Sequence, residues 1–302
     1  MTPIGIRPTN DFAFKKTFGS PENKMVLVSL LNAILDLPIP IVDVTIENPF
    51  NLQDFHDDKL SILDIRAVDQ LGAIYDVEMQ LSPCSGFVKR IVFYGCEVYA
   101  GQLNAGDDYS ELKPVYSICL LEGRLWHDFG RVHHAFRFVD RSSGRILNET
   151  LEIHTLELGW YNLGESDLKT ASALDRWLFW LIHAHQYDST TLASLFPQPE
   201  FQKATSTISR IAAMTEDKTM YDLREKAMRD QQWILKATRK EGIEEGLKQG
   251  LEISRRQVEI RIIQTLQDIL GQPVSEETSF SDMSLEQLQA KSSELRDVIR
   301  KR

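Results

Sequence analysis

Residues 59–80, KLSILDIRAVDQLGAIYDVEMQ, constrain the fold more than any other stretch, because their alternation suits a two-stranded hairpin. In residues 61–69, Leu63, Ile65 and Ala67 fall on one side and Asp64 and Arg66 on the other, the period of two expected of a half-buried strand. Residues 73–81 repeat it. Ala73, Tyr75, Val77, Met79 and Leu81 make the apolar side, so Asp76, Glu78 and Gln80 share the opposite face. Gln70, Leu71 and Gly72 join the strands as a short loop ending in the glycine that a type I turn with a bulge needs at positive φ.

That turn sets a register. Pairing Asp69 with Ala73 carries Asp64 opposite Glu78, with their Cβ atoms about 5 Å apart, and like charges so placed destabilise a sheet. A hard divalent cation such as Mg²⁺ neutralises them directly, taking one or two carboxylates and keeping several waters for chemistry. Solvated acids on an exposed face, or acids paired with Arg66 and Lys59, satisfy the same spacing, so spacing alone leaves both readings open.

Before the hairpin, Thr9 and Asn10 are capping residues for a short helix through Phe12, Phe14 and Phe18, with Lys15 and Lys16 on its polar side. Ser20 and Pro21 predict the start of a second helix carrying Leu27, Leu30, Leu31, Ile34 and Leu35 inward. Residues 41–48 alternate as a strand, and residues 48–58 form a polar loop whose His56, Asp57 and Asp58 lie just before the site strand. After the hairpin, residues 87–103 read as a helix with Arg90 and Tyr94 one turn apart, and residues 114–121 as a strand buried on both faces.

The order is helix, three strands, helix, strand. With Asp64, then Glu78 and Gln80 on the next strand, and the N-terminal NDFAFKKTFG, it resembles the PD-(D/E)XK nuclease superfamily, and more closely its recombination-promoting nuclease or putative transposase branch. The similarity covers about residues 10–116, with an echo in EGIEEGLKQG. The resemblance implies an α/β restriction-endonuclease-like αβββαβ core with a mixed sheet, Mg²⁺ (or Mn²⁺) on Asp64 and Glu78, and a metal-dependent DNA endonuclease linked to recombination or mobile elements. The metal would lower the pKa of a bound water, and the hydroxide would attack a backbone phosphorus in line. Gln80 stands where the superfamily usually has Lys; it orients water through hydrogen bonds but brings no charge. By the same resemblance Arg90 is the preferred phosphate-facing residue, with Lys15 and Lys16 as further DNA contacts. The alternative is a nuclease-fold module without catalysis that binds DNA or a mobile-element partner.

Composition bounds these readings. The 302 residues suffice for a large core, and the absence of a long apolar run or an apolar leader sets the expectation of a cytoplasmic protein without membrane contact. Cys84, Cys96 and Cys119 lack metal-ligand spacing and suggest reduced thiols. A formal charge of −10 argues against a strongly basic DNA-binding surface, yet a local basic groove can coexist with an acidic body. Lys89, Arg131, Arg137, Arg141 and Arg145 join Lys15, Lys16 and Arg90 as candidates for such a groove, each with a solvated-surface alternative.

Residues 131–140 and 151–158 read as a further hairpin around the turn at Arg141–Arg145, with His133 and His134 pointing to opposite faces. His183 and His185 are likewise split on an apolar helix around Trp177 and Trp180, to which no cofactor is assigned. The expected organisation is a nuclease-like domain over 1–215 with its core at about 10–122, a charged helical segment over 216–270, and a short helical end over 271–302 capped by Ser284 and Gln287. Gly242, Gly246 and Gly250 recur every four residues. Each costs a helix about 1 kcal/mol relative to Ala, which suits either close approach of a second helix, and so a homo-oligomer, or a bending connector.

Overall fold

The computed structural model describes residues 2–50, 65–80, 86–147 and 150–301. The chain divides into two compact units, Met1–Met228 and Arg229–Arg302.

The first unit is built on a six-stranded mixed sheet in the order β1-β2-β3-β4-β6-β5. Its strands are β1 (Val44–Ile46), β2 (Ile65–Asp69), β3 (Ile74–Gln80), β4 (Val115–Leu121), β5 (His133–Phe136) and β6 (Leu151–Glu157). The expected hairpin is present: Ile65 pairs with Val77 and Arg66 with Asp76, in the register that the turn dictates. Gly72 adopts φ +87°. Its amide donates to the Asp69 carbonyl at 3.1 Å, and the Asp69 amide donates to Ala73 at 3.1 Å. The Asp69 carboxylate locks the loop by accepting from the amides of Leu71 and Ala73 and from the Tyr75 hydroxyl. The hairpin is thus fixed by its own turn and needs no distant contact to choose its register.

From β3 the chain crosses through α3 (Phe87–Ala100) and returns in parallel as β4, which pairs in parallel with β6 in turn. β4 is central. Ile118 and Leu120 join the large core on one face, where α1 (Asp11–Phe18), α2 (Lys24–Leu35), α4 (Ala173–His183) and α6 (Pro199–Ala213) pack. Val115, Cys119 and Leu121 meet Phe87 and Ile91 of α3 on the other. A strand covered on both sides explains the continuous apolar run. Gly95 lets α3 settle onto β6, since a Cβ there would lie 2.9 Å from Leu151 Cδ1.

Several expected boundaries shift. Val44–Ile46 and His133–Phe136 are shorter than the alternating stretches that contain them, because pairing partners are available over only part of each. Pro21 opens a 3-10 turn, Pro21–Asn23, rather than the helix itself, and the Ser20 hydroxyl donates back to the Lys16 carbonyl at 2.7 Å instead of capping. Asn10 does cap α1, accepting from the amides of Phe12 and Ala13. Between α4 and α6 lies α5 (Ser189–Leu195).

The second unit holds residues of the long helix α7 (Thr215–Ile269) and the last helix α8 (Leu285–Arg300). Ile263, Phe280 and Leu288 make its small core. Ser284 and Gln287 form the expected reciprocal cap of α8. Among the described residues, no helix is long and apolar enough to cross a membrane.

Candidate active site

Because β3 alternates, Asp76, Glu78 and Gln80 emerge on the face covered by α3, each half-buried. Arg90, on the first turn of α3, reaches back over that face. Its Nη2 donates to Glu78 Oε1 at 3.1 Å and to Gln80 Oε1 at 2.8 Å, while the guanidinium carbon sits 5.4 Å from the Phe87 ring centroid. Two side-chain oxygens therefore converge on one cationic nitrogen, with about a third of each ion-pair side chain exposed, Glu78 at 31% and Arg90 at 36%. The other oxygen, Glu78 Oε2, accepts from the Cys119 thiol at 3.7 Å. Burial first, then the Glu78 and Asp76 carboxylates, pushes that thiol well above its ordinary range, so it stays protonated and donating.

Of the residues expected in the site, Glu78, Gln80 and Arg90 are brought together, and Cys119 joins them unforeseen. Its position in a strand read as buried on both faces gave no polar signal. Asp64, with the loop that carries His56, Asp57 and Asp58, lies outside the described residues. Lys15 and Lys16 depart from the expectation of a solvent-facing pair. Lys15 is fully buried. Lys16 forms an ion pair with Asp217 and lies 5.0 Å from the Phe50 ring centroid and 5.6 Å from that of Phe12. The start of α7 meets Lys16 through Asp217, so neither lysine is a free surface charge.

Among the described residues, no group of three or more His, Cys, Asp or Glu side chains is arranged to hold a metal. The donor chemistry at β3 nonetheless suits a hard cation: carboxylate and amide oxygens aimed at a common point are the ligands such an ion prefers.

A second polar cluster lies farther along the same sheet. Glu157, fully buried, accepts from the amides of Leu125 and Trp126 through Oε2, and its Oε1 lies 3.6 Å from His134 Nε2. On the opposite face His133 meets His154, Nε2 to Nδ1, at 2.9 Å, and His154 lies 3.0 Å from Glu152. The two adjacent histidines do split between faces, as alternation requires. Burial, then the His154 and His134 rings, lowers the His133 pKa to about 4.

An acidic hairpin, a crossover helix and a parallel return strand, with a carboxylate and an amide on the middle strand, define an α/β fold of the restriction-endonuclease-like kind. The sequence matches the family described as PD-(D/E)XK nuclease family transposase over residues 8–238, and the chain belongs to that family. Searches of curated proteins and of solved structures find no match to this chain.

Proposed function

We propose that this protein is a metal-dependent DNA endonuclease acting in recombination or mobile-element movement. The observation that carries the reading is the convergence of Glu78 Oε1 and Gln80 Oε1 on one cationic position, in a chain of nuclease-family membership. Asp64 and Glu78 would hold the cation, Mg²⁺ or Mn²⁺, which when bound supplies charge neutralisation and an acidified water. Gln80, a neutral amide, would orient water by hydrogen bonds without adding charge. Arg90 would be released from Glu78 by a cation held there and could then hold a phosphate, whose geometry a guanidinium matches in two parallel bonds. Lys15 and Lys16 take no part in this proposal, since one is buried and the other is bonded to Asp217. The α7 helix supplies the surface for self-association.

One observation favours a second reading, a nuclease-fold module that binds DNA or a protein without cutting. Arg90 already neutralises Glu78, and the usual Lys is replaced by Gln80, so Glu78 has a cationic partner without a metal. The separating experiment is nicking of supercoiled plasmid by the wild type and by an Asp64→Ala/Glu78→Ala variant in Mg²⁺, Mn²⁺, Ca²⁺ and EDTA. Metal-dependent nicking that the variant lacks supports the nuclease. Equal nicking by both proteins removes the site assignment, and none by either leaves the binding module.

A further inference from the structure

We infer that the ribbon of residues 131–147 is a second DNA-engaging element, gripping duplex backbone outside the candidate active site. The inference rests on the DNA-directed reading above and adds to it a surface that the β3 site does not include.

Charge is the first ground. Residues 130–147 hold four Arg and one Asp and no Lys or Glu, a formal +3 within a chain of −10. Arg137 is partly engaged, 2.8 Å from Glu152. The guanidiniums of Arg131, Arg141 and Arg145 have no hydrogen bond or ion pair among the described residues, and all three side chains are exposed. The one acid is spent inside the turn: the Asp140 carboxylate accepts from the Ser142 hydroxyl at 2.9 Å, from the Ser143 amide at 2.9 Å and from the Ser143 hydroxyl. Among the described residues it forms no ion pair with the arginines.

Shape is the second. The Asp140 amide donates to the Arg145 carbonyl at 2.8 Å and the Leu147 amide to Phe138 at 2.9 Å, with Val139 bridged to Ile146, so the tip is an ordered two-stranded ribbon. The tip register differs from that of its root, where Phe136 pairs with Ile153. Its exposed apolar side chains, Phe138 at 52% and Leu147 at 65%, lie opposite one another. The DNA major groove admits a two-stranded β-ribbon, with arginines on phosphates and apolar groups against thymine methyls.

Placement is the third. The register runs Glu78 beside Cys119, Cys119 beside Thr155, and Thr155 beside His134, so the root of the ribbon shares the sheet face of the candidate active site. Three strand steps put them about 14 Å apart, the reach of about four base pairs along one strand. α3 covers the sheet face between them, and the arm beyond Phe136 runs toward the Leu151 end of β6, so the duplex held by Arg141 and Arg145 extends past the β3 site rather than lying across the sheet.

The test is fluorescence anisotropy of a short labelled duplex with full-length protein in Ca²⁺, over a salt series, for wild type, Arg131→Ala/Arg141→Ala/Arg145→Ala and the matching triple Arg→Lys variant. All three positions are exposed, and melting curves check that the fold is kept. The expected result is at least a tenfold loss of affinity in the Ala variant and a salt slope smaller by about 2.7, three phosphate contacts at about 0.9 each, with the Lys variant keeping most of the slope. Wild-type binding that the Ala variant matches in affinity and slope overturns the inference and leaves the nuclease reading standing. A change in sedimenting mass without a change in DNA affinity assigns the ribbon to protein contact and overturns it too. A wild type that neither binds the duplex nor nicks plasmid removes both readings.

Discussion

Replacing Arg90 with Met is expected to weaken the folded protein slightly and strengthen its grip on a divalent cation, two changes of opposite sign from one deletion. The pair that is lost joins groups 3.1 Å apart, with a further 2.8 Å bond to Gln80. Two unit charges at about 4 Å attract by about 4 kcal/mol at an effective dielectric of about 20, but exposed pairs return only about 0.2–1 kcal/mol once solvent screening and side-chain entropy are counted. With roughly a third of each side chain exposed, the net value belongs near the upper end of that range, on the order of 1 kcal/mol. For a unit of this size that loss lowers the melting temperature by roughly 2–4 °C. A cation that takes Glu78 must first separate the pair, so wild-type affinity is reduced by the same amount, about fivefold. Melting curves over MgCl₂ and MnCl₂ series read both quantities, since a ligand bound only by the native state raises the transition. The variant should start lower and reach half its metal-induced shift at about a fifth of the wild-type concentration. An unchanged metal midpoint would show that no cation competes with the guanidinium at Glu78, and the active-site proposal would fail there. Plasmid nicking by the variant should still fall, because a phosphate would lose its arginine.

The remaining predictions concern the scaffold. Glu157→Leu removes the acceptor of two part-buried amides and should cost about 1–3 kcal/mol, read by urea unfolding, whereas Glu157→Gln keeps an acceptor oxygen and should cost far less; equal losses would refute the amide-anchoring role. His133, held down near 4, prefers to be neutral when folded, so the unfolded chain binds more protons between about pH 6.5 and 4 and stability declines as pH falls through that window. His133→Asn should flatten that part of the stability profile, and an unaltered slope would place its origin elsewhere. Asn10→Ala strips the α1 cap and its inward amide contacts and should destabilise by about 1–2 kcal/mol in thermal melts; a neutral effect would mean that water replaces the cap.

What the sequence made legible was whatever short-range rules decide. The β2–β3 register follows from the turn that joins the two strands, and β4 from a nearly continuous apolar run, so both could be read without knowing what they pack against. Site residues followed only as far as their own strand or helix. Glu78 and Gln80 share a face because alternation requires it, and Arg90 lies over that face, but that the guanidinium binds those two residues depends on how closely α3 sits on the sheet. Lys16 shows the limit most clearly. Its partner, Asp217, is 201 positions away, and no local pattern distinguishes a lysine facing water from one facing a later helix. The pairing of His133 with His154 was hidden for the same reason, since it needs the β5–β6 register, which the unequal arms of the ribbon conceal. Arg131, Arg141 and Arg145 were legible as candidates for a basic groove and as parts of one hairpin, but not as side chains left without an ion pair among the described residues.

The glycines at 242, 246 and 250 allow the two readings of α7 to be separated by a change that should help one and harm the other. A Cβ at any of them would meet no described heavy atom within 4 Å, so Ala fits the chain itself at no steric cost. Helix propensity then predicts a gain of about 1 kcal/mol for each Gly→Ala replacement in an isolated helix. Beside the glycines run Ile243, Leu247 and Leu251, exposed at 61%, 64% and 52%, an apolar stripe that a second copy would cover. If two α7 helices meet along this strip, three added methyl groups hold the backbones apart, and overpacking of about 1–3 kcal/mol outweighs part or all of the propensity gain. Sedimentation equilibrium of the wild type, the triple Gly→Ala variant and Leu247→Glu, each with a thermal melt, gives the answer. Self-association requires a wild-type dimer that both variants weaken, by about tenfold or more for each 1.4 kcal/mol lost. A wild type that stays monomeric across the accessible concentrations, with a triple-Ala variant that only melts higher, would make the stripe a connector whose glycines serve bending, and would remove self-association from the proposed function.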